Sequence, residues 1–88
     1  MKISEIFYSS HFEKSFKRLE RKLRIKALKK ELVFREDCFD PSLKTHKLKG
    51  HLANYWSFSI DRENRIMFSL ESDGKVTFLD CGDHSIYK

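Results

Sequence analysis

Apolar and polar residues alternate with a period of two in four stretches of this chain, and a helical period occupies the segment after the first. Lys2–Tyr8 sets Ile3, Glu5 and Phe7 against Ser4, Ile6 and Tyr8, which predicts an N-terminal strand. From His11 the period changes. Phe12, Phe16, Leu19 and Leu23 step by four, three and four, and Ile25, Leu28 and Leu32 continue at three and four, flanked by Ala27 and Val33. The stripe shifts phase between Leu23 and Ile25, which predicts two helices, about 10–20 and about 22–36, joined by a bend near Glu20–Arg21. Ser9-Ser10 offers an N-cap at the start of the first, and Glu13 follows Ser10 at capping-box spacing. The apolar stripe is the expected cover for one face of a sheet.

That sheet is expected from the second half of the chain. In Tyr55–Ile60, Trp56, Phe58 and Ile60 share a face, and in Arg65–Leu70, Ile66, Phe68 and Leu70 do. A two-residue loop would pair Ile60 with Arg65 and mix the faces. A three-residue loop, Arg62-Glu63-Asn64, pairs Asp61 with Arg65, aligns all six apolar residues and expects Asn64 in a left-handed conformation. A second such loop, Ser72-Asp73-Gly74, pairs Glu71 with Lys75 and brings Val76 and Phe78 to the apolar face, with Thr77 and Leu79 opposite. The expected class is α+β, with residues 1–88 as one domain. An N-terminal strand, a two-helix hairpin and a three-stranded antiparallel meander follow in order, the helices packed on one face of a four-stranded sheet. The other face, carrying Ser57, Ser59, Asp61, Arg65, Met67 and Ser69, is left to work.

Charge narrows the partners. Eighteen Lys and Arg against 13 Asp and Glu give a formal net charge of +5, which favours an anionic partner such as nucleic acid or an acidic protein. Lys14, Lys17, Arg18, Arg21, Lys22, Arg24, Lys26, Lys29 and Lys30 crowd the helical segment, interrupted by Glu20 and Glu31. Most therefore lack an opposite charge four residues away, so Lys17, Arg18, Arg21, Lys22 and Lys29 are expected to meet a polyanion such as ribosomal RNA. No apolar run approaches the ~18 residues of a membrane span and no export signal precedes the first strand, so a soluble cytoplasmic protein is expected. Cys38 and Cys81 then read as reduced thiols. Cys81 and His84 have zinc-ligand spacing, but no second closely spaced Cys/His pair completes four ligands, and no metal is expected.

Cleaving RNA needs a base for the 2′-OH proton, an acid for the leaving 5′-oxygen and a cation for the phosphorane-like transition state. His46, Glu63, Arg65 and His84 form a candidate catalytic set, with Lys47 and Lys49 adding charge and Tyr55 or Tyr87 able to stack on a base. His11 and His51 read as surface residues.

In its order of elements and in His46-Lys-Leu-Lys-Gly50, Tyr55–Ile60, Asn64-Arg65-Ile66-Met67-Phe68 and Gly82-Asp83-His84-Ser85, the chain resembles the RelE/ParE toxin superfamily of type II toxin–antitoxin systems. Within it, the likeness is to the RelE-type mRNA interferases of the YafQ-like and YoeB-like branches. The resemblance spans essentially the whole chain. It implies ribosome-dependent cleavage of mRNA without metal or cofactor, and an acidic antitoxin that wraps the toxin. By position, His84 matches the C-terminal catalytic histidine and Arg65 the strand arginine that contacts the scissile phosphate. His46 matches the histidine of the H-x-L-x-G turn, and Glu63 falls near an acidic loop position. The chain departs from YafQ-like members at Ser59, where they carry another histidine, and at Lys47, where proline is common. It departs from the YoeB-like pattern in having Tyr87 three residues after His84. ParE-type members of the superfamily poison DNA gyrase instead and lack the nuclease residues, and an inert antitoxin-binding homologue is the third reading.

Overall fold

The computed structural model describes residues 1–88. In chain order it contains strand β1 (Glu5–Tyr8), helices α1 (Ser10–Arg18) and α2 (Arg21–Glu36), and strands β2 (His46–Lys47), β3 (Trp56–Ser59), β4 (Arg65–Leu70) and β5 (Lys75–Gly82). A 3₁₀ turn at His84–Tyr87 ends the chain. The sheet order is β1-β5-β4-β3-β2. β1 runs parallel to β5 and every other pair is antiparallel. The sheet therefore has five strands, not the expected four. The fifth is the His46 segment, which pairs His46 with Ser57 and Lys47 with Trp56 rather than forming a turn.

The two helices are separate, as the phase shift predicted. Of the expected Ser9-Ser10 cap, Ser9 is the capping residue: the Phe12 amide donates to Ser9 Oγ at 3.0 Å, and Ser10 is already helical. No Gly or Pro marks the bend. Instead the Arg24 guanidinium donates to the Leu19 carbonyl, satisfying an acceptor freed where α1 ends.

α2 carries two apolar stripes, and the sheet takes the less obvious one. Ala27 and Phe34 are buried with Leu23 packed beside them, at i, i+4 and i+11. The expected stripe is turned outward, with Ile25, Leu28 and Leu32 exposed at 45%, 55% and 68%. Phe34 decides between them. Fully buried, it stacks on Phe58 (4.6 Å between centroids) and meets Phe68 (5.0 Å) and Phe78 (5.5 Å) edge-on. An aromatic ring removes more apolar area from water than any aliphatic on the other stripe.

The strand parity is as read, and the register is not. Ser59, rather than Asp61, lies opposite Arg65, so Phe58 faces Ile66 and Trp56 faces Phe68. The turn closes one residue early, at Asp61–Glu63, through Ile60 N–H donating to the Asn64 carbonyl. The Asp61 carboxylate builds this turn by accepting the amides of Glu63 (2.9 Å) and Asn64 (2.7 Å). Asn64 therefore needs no left-handed geometry; outside glycine, positive φ occurs only at Lys44 and Asp73. The second hairpin keeps its expected register at Leu70–Val76 and Ser69–Thr77, with Gly74 at φ 74°. A side chain at Gly74 would also sit 3.1 Å from the Lys2 carbonyl, so the N-terminal segment passes close there. Further along, β5 carries an extra residue: Phe68 faces Phe78 but Met67 faces Asp80. This bulge reverses the parity of β5, bringing Cys81 into the core opposite Ile66 and Gly82 opposite Arg65. Burial pushes the Cys81 thiol up to about 12.

Two measurements check this packing. Phe34→Ala is expected to lower unfolding stability in urea by about 3–5 kcal/mol, as for a buried aromatic ring. Leu32→Ala, on the outward stripe, should stay within about 0.5 kcal/mol of wild type. Burial alone pushes the Asp61 carboxyl up, but the amides of Asn64 and Glu63, the Asn64 side chain and the Lys26 ammonium together hold it below the ordinary range. A depressed folded pKa adds stability that is fully present above the unfolded value of about 3.9 and is lost as pH falls through the folded value. The stability difference between wild type and Asp61→Asn, followed by thermal unfolding, should be constant between about pH 5 and 7 and shrink below about pH 4.

Candidate functional site

With the helices over one face, the opposite face of the sheet carries the polar side chains. Residues paired across antiparallel strands share a face, so the ladder sorts them into rows. His46, Ser57 and Met67 make one row, and Ser59, Arg65 and Gly82 the next. Buried Ser59 accepts a hydrogen bond from the Arg65 guanidinium, which aims that cation along the end of the sheet.

His46 is exposed at the sheet edge, and its Nδ1 lies 3.1 Å from the Lys44 carbonyl. A carbonyl oxygen only accepts, so Nδ1 carries the proton and Nε2 of a neutral ring presents a free lone pair outward.

The C-terminal turn is tied to the same face. The Tyr87 hydroxyl lies 2.6 Å from Oγ of fully buried Ser57, in the His46 row. The Asp83 carboxylate accepts the Ser85 amide at 2.9 Å and so caps the turn. Hydrogen bonds from Ser85 hold that carboxyl below its usual range. His84 sits on this turn, exposed, with its ring edge-on to Tyr87 at 5.7 Å. Ser57, Tyr87 and Asp83 together seat His84 beside the row that holds His46.

The other predicted residues scatter. Glu63 stands exposed at the tip of the β3–β4 hairpin, where its amide but not its carboxylate is engaged. Lys47 pairs with Trp56 and so belongs to the face opposite His46. Lys49 begins the 3₁₀ turn Gly50–Leu52, and Tyr55 is half-buried just before β3. Lys17, Arg18, Arg21, Lys22 and Lys29 are all exposed on α1 and α2, outside every ion pair of the chain. His11 is exposed, as expected, and its Nε2 lies 3.1 Å from Asp80, which also accepts from Ser15 at 2.7 Å.

Sequence reading missed Ser57 and Asp83 as supports for His84. Asp83-His84-Ser85 does carry a local signal, an acceptor two residues before a free amide. Ser57 carries none, since its partner is 30 residues away.

The comparisons agree with this architecture. A family model described as the YoeB-like toxin of a bacterial type II toxin–antitoxin system matches residues 7–85. No curated protein matches the chain significantly. Among solved structures, a YoeB/ParE toxin from Agrobacterium tumefaciens is similar at 20% identity and a TM-score of 0.77, over 92% of this chain and 99% of that one. The YoeB dimer from Staphylococcus aureus is similar at 22% identity and TM-score 0.72, over 96% and 99%. YafQ in the E. coli DinJ–YafQ toxin–antitoxin complex is similar at 19% and 0.72, over 98% and 97%. These likenesses carry the fold, and the match over most of its length carries the family: the chain belongs to the YoeB-like toxins of bacterial type II toxin–antitoxin systems.

Proposed function

We propose that this toxin cleaves mRNA on the ribosome by acid–base chemistry on the polar face of the sheet. One observation carries the reading: His46, Arg65 and the Tyr87-anchored turn bearing His84 share that face. His46 Nε2, oriented by the bond from Nδ1 to the Lys44 carbonyl, takes the proton of the RNA 2′-OH. The 2′-oxygen bonds to the adjacent phosphorus and the bond to the 5′-oxygen breaks. His84, protonated, supplies the proton that the 5′-oxygen needs to leave. Arg65 neutralises the charge that accumulates on the phosphoryl oxygens in between. The products are a 2′,3′-cyclic phosphate and a 5′-hydroxyl. Tyr87 holds the turn and offers its ring to a base. Lys17, Arg18, Arg21, Lys22 and Lys29 attract ribosomal RNA.

The partner that silences this toxin is an acidic antitoxin; among its structural neighbours, YafQ is found in a toxin–antitoxin complex with DinJ and YoeB in a complex with YefM. The outward stripe of Ile25, Leu28 and Leu32 supports this. Its Leu28 lines a cleft of about 370 Å³ between the helices, floored by Phe12, Phe16 and Ala27 and rimmed by Glu13, Lys17 and Glu31. The apolar face of an amphipathic segment fits this floor, and its acidic residues suit the exposed Lys and Arg elsewhere on the two helices.

Primer extension on a translating mRNA in a reconstituted system tests the chemistry. Wild type is expected to cut within A-site codons. His84→Ala should lose about 10²–10⁴-fold in rate, as for removal of a general acid. Arg65→Ala should lose about 10²–10³-fold, as for one charge-stabilising donor. No cuts by folded, antitoxin-free wild type would overturn the reading and favour a gyrase poison, measured by supercoiling inhibition. Tyr87→Phe removes only the hydroxyl on Ser57. Stability should fall by about 1 kcal/mol, with slower cutting because the turn bearing His84 is loosened.

A further inference from the structure

β2 pairs only with Trp56 and Ser57, so the Ser59 end of β3, paired with β4 on one side, has no strand on its outer edge. A cleft of about 350 Å³ opens there. Lys26 and Lys30 reach it from α2, Lys44 from the segment before β2, Arg62 from the hairpin tip, and Arg65 from β4. The one carboxylate in its wall is Asp61, whose Oδ1 already accepts two amides and the Asn64 side chain to hold the hairpin turn. None of the five cations belongs to an ion pair of the chain.

Two details set this cleft apart from a solvated basic face. Lys30 lies on the buried line of α2, seven residues after Leu23 and four before Phe34. It is half-buried and lines the cleft, as a lysine does whose stem packs against apolar surface. Lys44 is held left-handed, at φ 53° and ψ 40°, with its amide donating to the Pro41 carbonyl. A non-glycine residue is strained there and persists where its surroundings demand it. The same residue's carbonyl receives His46 Nδ1, so one backbone kink points a cation into the cleft and a base onto the sheet face.

We propose that this cleft binds a backbone phosphate of the RNA strand being cut, adjacent in the strand to the scissile phosphate held by Arg65. The proposal rests on the RNA-cleavage reading and deepens it. It makes Lys26, Lys30, Lys44 and Arg62 substrate-binding residues and assigns Arg65 the boundary between the two phosphates. Five converging cations repel one another, and a phosphodiester strand relieves that repulsion while releasing its own counterions. An RNA chain also presents phosphates in series, as two adjoining cationic sites require.

The test is binding of a fluorescent 2′-O-methyl oligonucleotide, which lacks the attacking hydroxyl, measured by anisotropy over a salt series. Each lost contact to a single strand should flatten the plot of log K against log salt by about 0.7. Lys26→Gln with Lys30→Gln, which together loosen the one phosphate in the cleft, should therefore flatten it by up to about 0.7. Lys2→Gln with Lys75→Gln, the same charge change away from the cleft, should leave it near wild type. Lys44→Gly is expected to separate binding from folding, because glycine accepts the left-handed backbone freely. Its melting temperature should hold or rise while RNA affinity falls. Equal losses in the two double variants, or full RNA affinity in Lys44→Gly, would overturn the proposal. So would polyglutamate of matching charge displacing the oligonucleotide as well as unlabelled RNA does, which would give the cleft to an acidic protein. Because the probe cannot be cut, a failed cleavage assay with cleft-specific binding intact would remove only the reaction, and cleavage without cleft-specific binding would remove only the cleft.

Discussion

The packing of Phe34 against Phe58, Phe68 and Phe78 is the contact from which the rest of this structure follows. It joins the long helix to three adjacent strands of the sheet and determines which way the helix faces. Once Phe34 points inward, Leu23, Ala27 and Lys30 are carried to the same side. Ile25, Leu28 and Leu32 are turned to solvent, where they remain available to a partner. The same rotation delivers the ammonium groups of Lys26 and Lys30 to the end of β3. A core contact thus sets where the proposed antitoxin groove and the proposed RNA cleft lie.

With one face of the sheet covered, the site is assembled on the other by devices that act over short distances. The bulge in β5 changes the parity of the strand, so Gly82 arrives opposite Arg65 and the following turn folds back across the sheet. Asp83 caps that turn and the Ser57–Tyr87 hydrogen bond fastens it. On the opposite edge, the kink at Lys44 orients His46. The proposed acid and base therefore stand on separate segments, the His46 ring oriented by a carbonyl and the turn bearing His84 tied to a rigid strand. Such an arrangement holds two exposed imidazoles in place without burying either.

Much of this was legible in the residues, and the failures have physical causes. Strand parity is local, and it survived even where the hairpin closed one residue early. Register depends on which residue builds the turn, and the Asp61 carboxylate outcompeted the left-handed Asn64 that loop length alone suggested. His46–Lys47 is too short to show a period, so the fifth strand is visible only beside β3. The α2 stripe was misread because Ile25, Leu28 and Leu32 have better helical spacing than the isolated Phe34. The match of family motifs pointed to His46, Arg65 and His84, but carried no information on Lys26, Lys30 or Lys44 as members of one site.

By itself, the sequence determined the period of each element, the break between the helices, the apolar and polar faces of the strands, and the positive charge that demands an anionic partner. These depend on neighbours within a turn or a pleat. Only the tertiary structure decided the register, the bulge, the orientation of α2, and the meeting of cations from α2, the pre-β2 segment and two strands' ends in one cleft. Those outcomes compare alternative packings of segments far apart in the chain, and the burial of aromatic area settles them, a quantity no single segment contains.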